Sequence, residues 1–526
     1  MSAAEKLRRA VTSVRTTKPG GASLAADIDN HGSGRRQALR DRMATLVHAL
    51  SQSPRTAGDG PDKLEAVDTA GLVEMLTTLM HPVDASAAWL SLAVLDGKLP
   101  TGDLVRATVR IAALEGVPAA LRQAIWSGPV PRLLDAGPWR SVEVVSNRVI
   151  VDVHHTAMTD FATGIQRVTR EATRRWANDH RTMAVGWTPN HEAIRALTPA
   201  EARRAYWGGP PVRIPTDDSV IVPWKCTYVL PELAAEIDRT DRLQALARYS
   251  GSSLDVIGYD MVPVSTAETS HEGMVPGFAR NLAAVRHARN VVPISQAAAG
   301  EYRGWRAMLV GTGLAGPAIR PVVLPAEAPP EDPAGTAAAR SRLTLGSLPL
   351  VLVVGSHEPR KNHVAILHAA ELLWREGQRF SLTFIGGNSW NSEDFSATVA
   401  RLQLKGRPVE TIGAASDELL WGGYRTARFT VFPSINEGFG LPVAESLASG
   451  TPVITSNYGS MKEIADAGGG ALLVDPRDDG SIVDAMRKLL TDDDELARLR
   501  DEATNRPIRT WDDYAAQAWA ALTDPE

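Results

Sequence analysis

The stretch Phe432-Pro433-Ser434-Ile435-Asn436-Glu437-Gly438-Phe439-Gly440-Leu441-Pro442-Val443-Ala444-Glu445, continued by Ser446-Leu447-Ala448-Ser449-Gly450-Thr451-Pro452-Val453-Ile454, reads as a strand, a glycine-bearing loop and a helix. The helix starts near Leu441-Pro442 and stops at Gly450, because proline suits a first helical turn and glycine the position just after a last one. Gly438 and Gly440 let the backbone approach a ligand closely, with Phe439 between them, and the free N–H groups at the helix start suit an anion such as a diphosphate. Glu437 stands before the helix and Glu445 about one turn inside it, so both carboxylates can reach one pocket. There they would accept hydrogen bonds from sugar or ribose hydroxyls. Two glutamates at this spacing arise by chance in a chain with 61 acidic residues, so the pair gains meaning only from its setting.

Outward from that segment, strands and helices alternate. Leu350–Val354, Ser381–Ile385, Glu410–Ile412, Phe429–Phe432 and Pro452–Thr455 read as strands, with helical stretches between them. A second series begins at Arg148 with Val149–Val153 and continues through Ser219–Pro223, Leu254–Gly258 and Asn290–Ile294, with a loop from His154 to Gly164 and a helix from Ile165. Such alternation predicts α/β architecture with parallel, doubly wound sheets. The division is a 148–316 Rossmann-like domain, a proline-rich 317–345 linker, a 346–505 Rossmann-like domain, and a 506–526 closing helix. Two such domains imply an interdomain cleft, with ligands at the carboxyl ends of the strands. Residues 1–140 read as an all-α accessory domain: Arg36–Ser51, Asp62–Leu79, Ala85–Leu95 and Thr101–Glu115 have helical periodicity, and Gly58–Pro61, Pro82, Gly97–Pro100, Gly116–Pro118 and Gly137-Pro138 break it. Trp89 and Trp126 read as its core, and no chemical constellation is visible in it.

Composition bounds the partners. The 526 residues are 44% apolar and 22% charged, enough for several packed domains. With 56 Lys plus Arg the net charge is -5, without the basic field of a nucleic-acid binder, so an anionic ligand needs a local site. The single Cys226 excludes an intramolecular disulfide framework and a multi-thiolate metal site. Neither a signal peptide nor a membrane-crossing run is expected, which points to the cytoplasm, with peripheral contact at the inner face of a membrane left open. No metal is expected, since Asp492-Asp493-Asp494 lies in a polar helix start and the histidines lack zinc-site spacing.

A second chemical segment is Val353-Val354-Gly355-Ser356-His357-Glu358-Pro359-Arg360-Lys361-Asn362, between a strand and a helix. Arg360 can bridge phosphate oxygens and Lys361 can act as a point charge, a pair suited to a phosphate-bearing ligand; a basic pair at a helix start is also often merely solvated.

With its intervening Gly-Phe-Gly-Leu-Pro-Val-Ala, the Glu437…Glu445 pair resembles the paired-glutamate motif of the retaining family-four glycosyltransferases of GT-B fold, the glycosyl transferases group 1. Thr455–Ile464, Leu473–Pro476 and Glu358–Asn362 resemble that family too, and the likeness runs from about Arg148 to the end, with Thr510-Trp511 to Trp519 resembling the helix that closes the fold. Thr163-Gly164-Ile165-Gln166-Arg167 is similar to the family's glycine-bearing loop. Tyr259-Asp260-Met261-Val262-Pro263 is similar to its His-Asp-x-x-Pro pattern, with tyrosine where histidine is usual. Many relatives have arginine where Ser356 follows Gly355, which would leave the clamp to Arg360 and Lys361. Asp260 would orient a substrate hydroxyl or cap a turn. His154 and His155 follow a strand, facing the cleft or serving as ordinary loop residues.

The resemblance implies transfer of a sugar, mannose or a related hexose, from a nucleoside diphosphate sugar to a glycan, lipid-linked or small-molecule acceptor, with retention and without a cofactor. Arg360, Lys361, Glu437 and Asp260 would form the catalytic set. Gly164, Gly355, Ser356, Ile412, Gly438, Phe439, Gly440, Leu441 and Glu445 would bind donor, with Glu445 on the ribose and Ile412–Ala415 along the base. An epimerase or phosphorylase of the same fold, and a non-catalytic sugar-nucleotide or glycan-binding scaffold, are the alternatives.

Overall fold

The computed structural model describes residues 24–51, 64, 67–126, 140–160, 163–206 and 219–524; the breaks expected at Gly58–Pro61 and Gly137-Pro138 lie outside them. The chain gathers into two compact units built from interleaved segments. The first takes residues up to 161, 177–254 and 280–288; the second takes 162–176, 255–279 and 289 onward.

In the first unit, helices α1 (Leu24–Asp29), α2 (Ser33–Ser51), α3 (Thr69–Leu79), α4 (Ala85–Asp96), α5 (Gly102–Glu115) and α6 (Val117–Trp126) precede the strands. The helix expected over 62–79 begins only at Thr69, because the Asp68 carboxylate accepts Gly71 N at 2.8 Å and sets the cap there. α4 is apolar on every side and is the buried centre of this bundle, with Trp89 fully enclosed and its ring stacked on Trp224.

Strands β1 (Val142–Val145), β2 (Val149–Asp152), β3 (Thr182–Trp187), β4 (Ile194–Ala196), β5 (Val220–Pro223) and β6 (Thr227–Leu230) follow in the spatial order β1-β5-β4-β3-β2-β6. β4 runs antiparallel to both neighbours, so the sheet is mixed where the sequence suggested a parallel one. A short hairpin-like return through β4 is compatible with antiparallel pairing and needs no crossover helix. The loop expected after β2 contains the one-turn helix α7 (His154–Met158), because Glu232 accepts His155 N at 2.7 Å and Thr156 N at 3.0 Å at its start. α8 (Gly164–Asp179), which belongs to the second unit up to Trp176, α9 (Pro199–Tyr206) and α10 (Ile237–Tyr249) are the other helices of this stretch of sequence.

In the second unit β7 (Ser253–Gly258), entered at Asp255, pairs in parallel with β8 (Asn290–Pro293), and β8 with β9 (Ala318–Ile319). α11 (Val262–Ser265), α12 (Met274–Val285) and α13 (Gln296–Gly311) lie between these strands in sequence, and α14 (Pro333–Leu343) follows. Thus the proline-rich stretch ends in a helix, opened by Pro333 at its first position.

The remaining strands are β10 (Leu350–Val354), β11 (Ser381–Ile385), β12 (Val409–Ile412), β13 (Phe429–Phe432), β14 (Val453–Ser456) and β15 (Ala471–Val474). They alternate with α15 (His363–Arg375), α16 (Glu393–Leu404), α17 (Asp417–Thr426), α18 (Leu441–Ala448), α19 (Gly459–Asp466), α20 (Asp479–Thr491), α21 (Asp493–Thr504) and α22 (Trp511–Thr523). All neighbours are parallel, in the order β12-β11-β10-β13-β14-β15. The four core strands are buried on both faces, as a sheet covered by helices on both sides requires. Read from β10, the order is that of a doubly wound sheet whose direction of winding reverses between β10 and β13. At such a reversal the connections after β10 and β13 leave toward opposite faces of the sheet, the position where ligands bind in doubly wound folds.

Candidate active site

The two loops at the switch point are the two segments that carry the sequence signals. After β10, Gly355 turns with φ +145°, then Pro359–Lys361 form a 3₁₀ turn that ends on Asn362 in the left-handed region. The Asn362 amide donates to Pro476 O at 2.7 Å and fixes that turn. After β13, Ile435 N donates to the Arg360 carbonyl at 2.8 Å, stitching the loops together, and Ser434 Oγ lies 3.0 Å from the same oxygen.

Their side chains form one buried ionic network. Arg360 Nη1 lies 2.6 Å from Glu437 Oε2, and its Nη2 lies 2.7 Å from Glu358 Oε1. Lys361 Nζ pairs with Glu437 Oε1 and sits 4.9 Å from the centre of the Phe432 ring. Ser434 Oγ donates to Glu437 Oε1 at 2.8 Å. Burial would push the Glu437 carboxyl up, but Arg360 and Lys361 outweigh it and hold the group at about 2. Burial lowers Lys361 against the pull of Glu437 and raises Asp260, which Arg360 only partly offsets. Asp260 also accepts Val262 N at 3.3 Å, the turn-capping role, while lying in the field of Arg360 and Glu437.

Helix α18 begins beside this network. Gly440, at φ +103°, is its cap residue and brings no side-chain hydrogen bond to its start. A β-carbon on Gly438 would stand 3.2 Å from the Asp260 backbone N, so glycine permits the loop to pass that close. Phe439 is buried, and Leu441 faces Gly164, whose β-carbon position lies 3.5 Å from the Leu441 side chain. Glu445 is one turn in, buried, ion-paired with Arg167 and accepting Tyr424 OH at 2.8 Å. Ser356 is exposed next to Gly355, and Ile412 ends β12, its carbonyl accepting Gly386 N at 2.9 Å. Every residue singled out in the catalytic and donor sets thus has a place in the second unit.

Gly386 follows β11 at φ +156°, and a β-carbon there would stand 2.0 Å from the Gly355 carbonyl oxygen. Gly386→Ala is expected to destabilise the protein by about 1–3 kcal/mol, read from the midpoint of urea unfolding. An unchanged midpoint would show that the turn after β10 yields without cost.

Other marked residues serve the scaffold of the first unit. His154 Nδ1 accepts Trp187 N at 3.2 Å, and His155 pairs with Glu236 at 2.9 Å. Both border a buried centre where Arg239 lies 3.0 Å from Asp152 and 3.1 Å from Glu232, while Trp187 and Tyr228 each donate to Asp152 at 2.8 Å. In the second unit the Tyr259 hydroxyl donates to Ile165 O at 3.3 Å, anchoring the start of α8. Sequence reasoning passed over Glu358, Ser434, Tyr424 and the role of Arg167. Glu358 and Arg167 stand inside motifs already quoted; Tyr424 carries no signal of its own.

Residues 338–506, which contain both loops, match the family described as Glycosyl transferases group 1. This segment is a group 1 glycosyltransferase domain, and the fold is GT-B. The chain is 27% identical over 341 residues to the serotype-specific mannosyltransferase WbdA of Escherichia coli, covering 61% of this chain and 40% of that protein. The O-antigen chain mannosyltransferase B of Escherichia coli is 33% identical over 192 residues, 36% of this chain and 49% of its own. The chain therefore spans under half the length of either relative. Sucrose-phosphate synthase from Thermosynechococcus elongatus superimposes with TM-score 0.50 at 18% identity, covering 70% of this chain and 97% of that one. Among the described residues no cluster of three or more His, Cys, Asp or Glu is placed to hold a metal ion, and no helix is long and apolar enough to cross a membrane.

Proposed function

We propose that this chain is a retaining, metal-independent glycosyltransferase that moves a hexose from a nucleoside diphosphate sugar to a glycan, lipid-linked or small-molecule acceptor. The observation that carries the reading is the Arg360–Lys361–Glu437 network at the switch point, beside the start of α18. Its two cations are already balanced by Glu358 and Glu437, so it can take up a diphosphate only by sharing them. The uncapped start of α18 supplies further positive potential. Glu437 would receive hydroxyls of the sugar and Glu445 those of the ribose. Asp260 would orient a hydroxyl, and Gly164, Gly355, Ser356, Ile412, Gly438, Phe439, Gly440 and Leu441 would form the walls.

Glu437 is a poor nucleophile, because Arg360, Lys361 and Ser434 occupy its oxygens. That favours a same-face substitution: the acceptor oxygen bonds to the anomeric carbon as its bond to phosphate breaks, and the leaving phosphate takes the acceptor proton. Arg360 and Lys361 would stabilise the charge that develops on that phosphate. The names of the two mannosyltransferase relatives favour mannose. A cytoplasmic setting with peripheral contact at the inner face of a membrane fits the lipid-linked class of acceptor.

A thermal-shift screen of nucleoside diphosphate sugars is the first test. The cognate donor is expected to raise the melting temperature, a ligand at 100 times its Kd adding about 2.7 kcal/mol. Transfer followed by NMR should give a product with the donor's anomeric configuration and the same rate in EDTA. If no nucleotide sugar stabilised the protein, the reading would be wrong; an inverted product would remove retention alone.

A further inference from the structure

Glu445 is held from two elements of the second unit, and a third packs against its arginine partner. From α8, Arg167 pairs with it; from α17, Tyr424 donates a hydrogen bond at 2.8 Å; and the Arg167 guanidinium carbon lies 5.9 Å from the Trp421 ring centre and 5.8 Å from that of Trp511 on α22. Both indoles are buried, so the cation is gripped by two π faces as well as by the carboxylate. The start of α8 is itself fixed, since Thr163 N and Oγ1 both donate to Gln166 Oε1, at 3.0 and 2.7 Å, and Tyr259 holds Ile165 O. Further along, Trp176 Nε1 donates to Ala515 O at 2.9 Å and ties α8 to α22.

The charged surroundings of Glu445 are few. Burial raises its carboxyl and Asp417 on α17 adds to that; Arg167, with the Tyr424 hydroxyl, opposes both. On the neighbouring α19, Glu463 is taken up by the backbone of Gln296 and Ala297, and Lys462 pairs with Asp466; on α21, Glu502 accepts Gly470 N. Arg167 is the cation that faces Glu445 among these groups.

We infer that Arg167 is a positioning residue for Glu445: clamped between Trp421 and Trp511, it keeps that buried carboxylate charged and aimed to accept donor hydroxyls. The inference rests on the proposed function for the identity of the ligand, but its electrostatic half does not. Arg167→Gln removes the charge and keeps a hydrogen-bond donor; Arg167→Lys keeps the charge and loses the planar fork.

The titration of Glu445 can be followed in the full chain by ¹³C NMR of carboxyl-labelled glutamate, with Glu445→Gln used only to assign the signal. In Arg167→Gln the midpoint should rise by about one to three pH units, the effect of losing an adjacent opposite charge; in Arg167→Lys it should stay near that of the wild type. Donor affinity, measured by calorimetry, should fall about tenfold or more at neutral pH in the glutamine variant and recover as pH is raised, since the carboxylate returns above its midpoint. An unmoved Glu445 midpoint in Arg167→Gln, or a lysine variant as shifted as the glutamine one, would overturn the inference. If the midpoint moves as expected while no nucleotide sugar binds even the wild type, the inference on charge stands and the functional reading falls.

Discussion

Lys361→Ala is expected to lower kcat/KM by about 10²–10³-fold, the cost of removing one preorganised group from a developing negative charge. The fold should survive the change. Glu437 keeps Arg360 at 2.6 Å and Ser434 at 2.8 Å, so its charge is still compensated when the ammonium is gone. On the proposed function the loss should fall mainly on kcat, because the diphosphate of a bound donor would also be met by Arg360 and the start of α18, whereas the leaving group's extra charge would appear only in the transition state. Circular dichroism melts and steady-state kinetics on the same preparation separate the two effects. A variant that melts like the wild type and transfers sugar at full rate would remove Lys361 from the chemistry.

Glu437→Ala should act on stability first. It leaves Arg360 and Lys361 buried with Glu358 as their remaining ion-pair partner and Asp260 acting on Arg360 only through its field, and breaking a buried ion pair from one side costs about 3–5 kcal/mol. The pH dependence gives a second reading of the same bond. The Glu437 carboxyl is held at about 2 in the folded chain, below the ordinary glutamate value of about 4.3 in the unfolded one. A group depressed by folding contributes fully above its unfolded value and loses that contribution as pH falls toward its folded value. Wild-type stability in urea should therefore decline from about pH 4 to about pH 2 more steeply than that of the variant, by on the order of 3 kcal/mol. Parallel acid profiles for the two proteins would mean that the network does not compensate Glu437 in solution.

Much of the second unit was legible because its signals are local. The Gly438-Phe439-Gly440-Leu441-Pro442 run contains both the flexible approach and the helix start, and α18 occupies the span that Pro442 and Gly450 bracket. Apolar runs such as Leu350–Val354 and Phe429–Phe432 became buried parallel strands, since nothing competes with burial on both faces. β4 was not legible: Ile194–Ala196 is three residues long, and its pairing depends on β3 and β5 more than on its own composition. α7 was missed for a similar reason, as the carboxylate that supports its first N–H groups is Glu232, far along the chain.

The site divides in the same way. Arg360, Lys361 and Glu437 could be named from short motifs, but their mutual pairing could not, because the two loops meet only through the reversal of strand order between β10 and β13. Tyr424 and Trp421 lie on a helix whose pattern reads simply as amphipathic. Their importance comes from what stands opposite them, which one-dimensional periodicity does not encode.

The interleaving of the two compact units sets a limit on how the polypeptide can be taken apart. Residues 162–176 and 255–279 lie well before the proline-rich stretch, yet they cluster with the carboxyl-terminal half. A fragment beginning at residue 317 would keep the whole paired-glutamate segment and lose Arg167, Tyr259 and Asp260 at once. It would also strip Trp421 and Trp511 of the cation they enclose and leave the carbonyl of Gly438 without the Ser295 hydroxyl that donates to it at 2.6 Å. The carboxyl-terminal half of this protein is thus not a severable module in sequence: one cut removes part of its own interior, and an independently folding piece would have to carry those two earlier segments with it.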